Sequence, residues 1–210
     1  MHFDIASFIR QLSISIVPFL LAITIHEASH GFAAYYLGDD TAKRQGRLTL
    51  NPFAHIDIFG LLFLLLTRLF GWAKPVPVNF RNLKHKHGMA IVALAGPVSN
   101  FVLALISALI FNLIKGIHVE SQLALKILTP IAYMLLYSVQ INIALAIFNL
   151  IPVLPLDGGR VLHDFLPPNQ ALAFGRTERY GFFIILILIM LGVTDKIIVP
   201  VIKTVVSILI

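Results

Sequence analysis

The sequence predicts an all-α polytopic membrane protein, and three observations carry that prediction. Of 210 residues, 58% are hydrophobic and only 12% charged, and the mean hydropathy is +0.90, whereas a soluble globular domain carries about a quarter charged residues. Apolar stretches such as Val92 to Leu113 exceed what a small aqueous core can hide. The basic residues that give the net charge of +6 sit in short loops between such stretches, where they orient a chain against anionic lipid rather than bind nucleic acid. Soluble-enzyme, disordered, coiled-coil and collagen-like classes are excluded on these grounds. The chain has no cysteine, so disulfides, thiolate metal sites and cysteine nucleophiles are excluded too, and a metal must be held by His and carboxylate.

Crossing roughly 30 Å of hydrocarbon takes about 20 helical residues. The first candidate is Leu12 to Leu37, read as a retained helix because its start lacks the basic residues and small-residue cleavage site of a signal peptide. Met89 to Leu113 and Leu123 to Leu150 follow. Gly181 to Val193 is shorter; Thr194, Asp195 and Lys196 interrupt its extension toward Ile210, which leaves one crossing with an interfacial tail or two short crossings. The expected architecture is a bundle of about four to six transmembrane helices. No linker, repeat or low-complexity segment divides residues 1–210, so a single membrane-embedded domain is expected.

Between the first two spans, Ile56 to Leu66 is apolar but gives only 11 residues before Thr67 and Arg68, the length of a re-entrant segment. If it dips and returns, Lys43, Arg44, Arg47, Arg68, Lys74, Arg81, Lys84, Lys86, Arg160, Arg176 and Arg179 share one side, against Arg10, Lys115 and Lys126 on the other. That positive-inside bias places the N-terminus outside the cell membrane and the loops after the first and third long helices in the cytoplasm. Arg47 to Leu50 and Lys74 to Asn79 lack helical periodicity, and the prolines of Pro75-Val76-Pro77 demand extended backbone. A short extended segment near the site, offering an edge to an unwound substrate, is therefore expected.

The chemistry centres on His26-Glu27-Ala28-Ser29-His30 in the first helix. Residues four apart share a helix face, so two imidazoles can grip one metal ion while Glu27 reaches a water beside it. Three ionisable side chains within a membrane helix are costly unless paired, hydrated or metal-bound, and so signal function. A catalytic zinc site takes three protein ligands. The best third candidate is Asp157, in the run Asn149 to Arg160: Pro152 and Pro155 end the helix, and Gly158 and Gly159 let the chain turn the carboxylate back toward the bundle. A divalent-metal transporter would use similar ligands, but the paired inverted repeats of that class are absent from the sequence.

These motifs, with Gly46 to Asp57, Lys74 to Asn79 and Ala95-Gly96-Pro97-Val98-Ser99-Asn100, make the sequence resemble the site-2 protease family of intramembrane zinc metalloproteases, in its compact bacterial form without an appended PDZ or CBS domain. The resemblance covers residues 8–166 and leaves 167–210 as a C-terminal helical extension. It implies one zinc ion per chain held by His26, His30 and Asp157, with Glu27 as catalytic base, and hydrolysis of a transmembrane segment of another protein within the bilayer. Asn149 is implied as a donor to the substrate or the developing oxyanion. Ile58 departs from the family's usual proline after the His-Ile-Asp triplet and touches no ligand. Gly96, Pro97 and Asn100 are read as packing residues, with Asn100 able to bond across a helix interface. His55 is expected to be a solvated loop histidine, His85 and His87 part of an interfacial basic face, and His163 and Asp164 a polar loop. Substrate identity, cleavage site and any homo-oligomer stay open.

Overall fold

The computed structural model describes residues 5–67, 72–118 and 121–210; Arg68 of the charge count lies outside them. Every regular element among the described residues is helical. The longer ones are α1 (Ile5–Tyr36), α2 (Thr41–Arg44), α3 (Ile58–Thr67), α4 (Gly88–Lys115), α5 (Gln122–Asn149), α6 (Asp157–Phe165), α7 (Pro168–Gly175), α8 (Gly181–Met190) and α9 (Val199–Leu209). Leu12–Tyr36 of α1, α4 and α5 are each long and apolar enough to cross a bilayer, and their ends fall within two residues of the boundaries read from sequence.

These three helices pack on one another, and their shared interior is built from small residues. Ala22, Ala28 and Ala34 of α1, Ala90, Ala93, Gly96, Ala104 and Ala108 of α4, and Ala146 of α5 are buried, while Val102, Leu105, Leu109, Leu113, Leu123 and Ile127 point outward. Large apolar side chains outside and small ones inside is the pattern that lipid permits, because hydrocarbon gives no reason to hide leucine and close helix approach rewards alanine and glycine.

The stretch after α1 leaves and comes back. The Lys74 amide donates to the His55 carbonyl at 2.9 Å, so the excursion that includes α3 closes where it began; its residues 68–71 lie outside the described ones. Ten helical residues reach about 15 Å, half the hydrocarbon thickness. A Cβ on Gly60 would lie 2.9 Å from Cγ of Trp72, so α3 packs directly on the returning chain. This is a re-entrant geometry, and it makes α1 and α5 end on the same side.

The C-terminal region forms one bent passage. Gly181 at the start of α8 sits against the loop after α5, where a Cβ would come within 2.6 Å of Pro155 Cδ. At the other end, Ile202, Val205, Val206 and Leu209 of α9 pack on Ala104, Ala108, Val139 and Ile143, and Asn112 of α4 donates to the Leu209 carbonyl at 2.9 Å. The path therefore runs from the C-terminal end of α5 to the C-terminal end of α4. Its two halves, Pro168–Met190 and Thr194–Leu209, meet at 67°, at a break holding Gly192 in a left-handed conformation (φ 70°). Counted as one crossing, it brings the described spans to four.

Candidate metal centre and active site

His26 and His30 lie one turn apart on α1, their rings edge to face with centroids 4.7 Å apart. Asp157, the first residue of α6, comes to them from the far end of α5: its Oδ2 is 3.2 Å from Nε2 of His26 and its Oδ1 3.4 Å from Nε2 of His30. The three ligand atoms lie within 4.8 Å of one another. The turn between α5 and α6 is close-packed: a Cβ on Gly159 would fall 2.5 Å from the Leu154 nitrogen, so glycine is what lets α6 start here. The sequence placed Asp157 in a turn; it opens a helix instead, the first of nine residues.

The other ring nitrogens are already engaged. Nδ1 of His26 meets Oδ1 of Asn100 at 2.5 Å, and Nδ1 of His30 meets the Val92 carbonyl at 2.7 Å. Both partners are acceptors, so Nδ1 carries the proton on each ring and, in the neutral imidazoles, Nε2 is a bare lone pair. Two lone pairs and a carboxylate then face one another, and Oδ2 of Asp157 is buried without a hydrogen-bond donor. Converging acceptors around a buried carboxylate are what a cation requires, and two nitrogens with one oxygen suit zinc with a position left open.

α4 supplies none of these three residues yet shapes their surroundings. Gly96 faces both rings: a Cβ there would lie 2.5 Å from His30 Cε1 and 2.7 Å from His26 Cε1. Gly96, Pro97 and Asn100 are buried as packing residues are, but Gly96 also makes room for the imidazoles and Asn100 also bonds to one.

Glu27 points to the same place from the next position on α1. Its Oε2 accepts the Val76 amide at 2.8 Å. Glu27, both histidines, Asp157, Asn149 and Arg160 line a cavity of 1110 Å³ whose remaining wall is largely apolar and includes Phe19, Ile23, Trp72, Phe148, Phe182, Ile185 and, from the broken fourth span, Thr194 and Asp195. Asn149 donates one amide hydrogen to the Leu145 carbonyl at 3.0 Å, which leaves its second N–H.

Segment 74–79 is extended, as its prolines demand, and several of its backbone groups are already bonded. Pro75 and Pro77 have no N–H. Lys74 donates to His55, Val76 to Glu27, and Asn79 to Oδ2 of Asp39 at 2.8 Å, while Nη2 of Arg47 donates to the carbonyls of Lys74 and Pro75 at 3.0 and 3.3 Å. The segment is thus fastened to the rest of the chain at Lys74, Val76 and Asn79, with its Val76 donor committed to Glu27.

Three histidine expectations are corrected. His55 is fully buried rather than solvated, its Nε2 bonded to the Thr49 carbonyl at 2.9 Å, because the returning chain at Lys74 folds over it. His87 sits at the N-terminal boundary of α4 and meets Asp164 at 3.3 Å while stacking on Phe165 at 4.7 Å, so it packs on the end of the helix that Asp157 begins. His163 and Asp164 accordingly lie in α6, not in a loop. Sequence reasoning also missed Val76, Asp39 and the buried Asn142, Ser138 and Ser107; the last three are polar residues in membrane helices, a signal the sequence did hold.

Comparison with known proteins bears on this arrangement directly. Residues 14–192 match peptidase family M50. The chain belongs to that family. It is 40% identical to YwhC of Bacillus subtilis over 174 residues, which is 82% of this chain and 78% of that protein. It is 27% identical to Rip2 of Mycolicibacterium smegmatis over 190 residues, 87% of this chain and 69% of that protein. Each of these relatives bears the name "Putative zinc metalloprotease". No solved structure matches the chain. The M50 chain described here is a membrane protein and a zinc-dependent metalloendopeptidase of the site-2 protease type, and its His-His-Asp group is chemically suited to the metal.

Proposed function

We propose that this M50 protease hydrolyses peptide bonds within or next to transmembrane segments of other membrane proteins, with His26, His30 and Asp157 as the zinc ligands and Glu27 as the general base. The observation that carries the reading is the convergence of three acceptor atoms within 4.8 Å in a cavity that Glu27 also lines. Zinc held there supplies Lewis acidity, polarising the scissile carbonyl and making a water acidic enough to lose a proton near neutral pH. Glu27 accepts that proton through the oxygen not bonded to Val76 and passes it to the leaving amide nitrogen, so one water is consumed and two peptide ends are released. Asn149 has an amide hydrogen left to donate to the carbonyl oxygen as charge develops on it.

The apolar cavity wall suits a substrate arriving from lipid as a single unwound segment. The basic-loop bias supports an N-terminus outside the cell membrane and an active site reached from the cytoplasmic side, within one membrane-embedded domain. The test is zinc content and cleavage of a transmembrane substrate, measured on the same detergent preparations. Glu27→Gln is expected to keep one zinc per chain and lose cleavage, and His26→Ala or Asp157→Ala to lose both. Retained cleavage in Glu27→Gln would overturn the assignment.

A further inference from the structure

A chain of buried polar side chains runs from His26 into the α4–α5 interface. Asn100 sits at its centre, fully buried, with Oδ1 on Nδ1 of His26 at 2.5 Å and Nδ2 on the Ala22 carbonyl at 3.2 Å and on Oδ1 of Asn142 at 2.6 Å. Asn142, also fully buried, donates its own Nδ2 to the Ser138 carbonyl at 2.8 Å and to Ser138 Oγ at 3.3 Å. Ser138 Oγ lies 2.8 Å from Ser107 Oγ.

The direction of this chain is fixed by its ends. The carbonyls of Ser138 and Ala22 are backbone acceptors that can never donate, so Asn142 must turn its NH2 toward Ser138 and its oxygen toward Asn100. Asn100 must then turn its NH2 toward Asn142 and Ala22, which leaves its oxygen facing His26. That oxygen accepts only from Nδ1–H, so the His26 tautomer with a free Nε2 is the one the interface selects. His30 needs no such chain, because a backbone carbonyl, that of Val92, plays the same part.

We propose that Asn100 and Asn142 are positioning residues for zinc: they hold His26 in its ligating tautomer and ring orientation, and they set how tightly the metal is bound. The proposal rests on the ligand assignment above. Partners of a ligating histidine typically govern roughly 10- to 100-fold in metal affinity. Satisfying so many buried polar groups in a membrane interior by one arrangement makes that arrangement hard to leave.

The experiment measures zinc affinity by chelator competition, and the visible spectrum of the cobalt-substituted form, on the full chain in detergent, alongside thermal unfolding of the metal-free protein. Asn100→Leu is expected to weaken zinc binding roughly 10- to 100-fold and alter the cobalt spectrum. Asn100→Asp keeps an acceptor on His26 while losing the donors to Ala22 and Asn142, so it should lower thermal stability yet hold zinc within a few-fold of wild type. Ser107→Ala, beyond the anchoring carbonyl, should leave affinity unchanged. A packing role alone predicts that Leu and Asp variants differ in stability without this split in affinity, and that outcome overturns the proposal. Should Asn100→Leu not fold, Asn142→Leu removes the group that fixes the Asn100 amide and is expected to cost several-fold in affinity; wild-type affinity there overturns it equally. If His26→Ala itself binds zinc like wild type, the ligand assignment has failed and not the positioning argument.

Discussion

The Val76 amide donates to Oε2 of Glu27 at 2.8 Å, and it is the only amide hydrogen that Pro75-Val76-Pro77 possesses. The extended strip therefore aims the proposed base, leaving its other oxygen toward the cavity. Replacing Val76 by proline deletes that donor while keeping a backbone that three successive prolines can adopt. A hydrogen bond to a charged group contributes about 1.5–3 kcal/mol. Val76→Pro is accordingly expected to bind zinc like wild type and to lose roughly 10- to 100-fold in kcat, read by substrate cleavage on zinc-quantified protein. An unchanged kcat would show that the strip does not orient Glu27.

Gly96 has the opposite sensitivity. Glycine in a helix interior costs about 1 kcal/mol against alanine, so Gly96→Ala favours the helix as such, but the added carbon would lie 2.5 Å from the His30 ring and 2.7 Å from that of His26. The chain is expected to stay folded while its zinc content falls well below one per chain, with cleavage lost in proportion. Metal analysis beside a thermal melt separates the two effects. A fully zinc-loaded Gly96→Ala would mean that the rings have room to shift.

Much of this arrangement was legible in the sequence because membranes enforce simple rules. Hydrophobic length alone locates α1, α4 and α5, and the cost of burying His26, Glu27 and His30 in lipid marks them as a candidate site. Asp157 was legible from its prolines and glycines. What stayed hidden depends on contacts between distant segments. Val76 meets Glu27 across 49 positions and Asn100 meets His26 across 74, and no local pattern encodes such a pairing. His55 read as solvated because a histidine in a polar loop usually is; its burial follows from the return of the chain at Lys74. The bend in the fourth span was visible only as interrupting polar residues, which do not say whether a helix ends or turns.

Removal of the metal should be felt in stability as well as activity. Without a cation, two imidazole lone pairs and the buried Oδ2 of Asp157 oppose one another. Where zinc is held by the proposed ligands, which come from two separate helices, its binding free energy adds to folding. A chelator is expected to lower the melting temperature, and one equivalent of zinc per chain to restore it; free zinc at 100 times its Kd corresponds to about 2.7 kcal/mol. In His30→Ala the chelator should have little effect. An equal chelator shift in wild type and His30→Ala would place the stabilising metal elsewhere.

Asp39 gives the pH dependence its sign. The residue is fully buried just beyond α1 and accepts from the Thr41 hydroxyl at 2.5 Å, the Asn79 amide at 2.8 Å and the Asn82 side chain at 2.8 Å, so it pins the far end of the strip that reaches Glu27. Burial pushes its carboxyl up, but the donors from Thr41, Asn79 and Asn82 outweigh it and hold the group below the usual carboxylate range. A carboxyl whose folded pKa is depressed stabilises the fold above its unfolded pKa, about 3.9, and that contribution disappears as pH falls through the folded value. Asp39→Asn turns an amide NH2 toward donors and is expected to cost roughly 1–2 kcal/mol at pH 7. The gap between wild type and variant should narrow as pH drops below about 4. Unfolding of the two proteins at pH 7 and pH 3 in the same detergent measures it, and a gap that stayed constant would assign the effect to shape rather than to the ionised carboxylate.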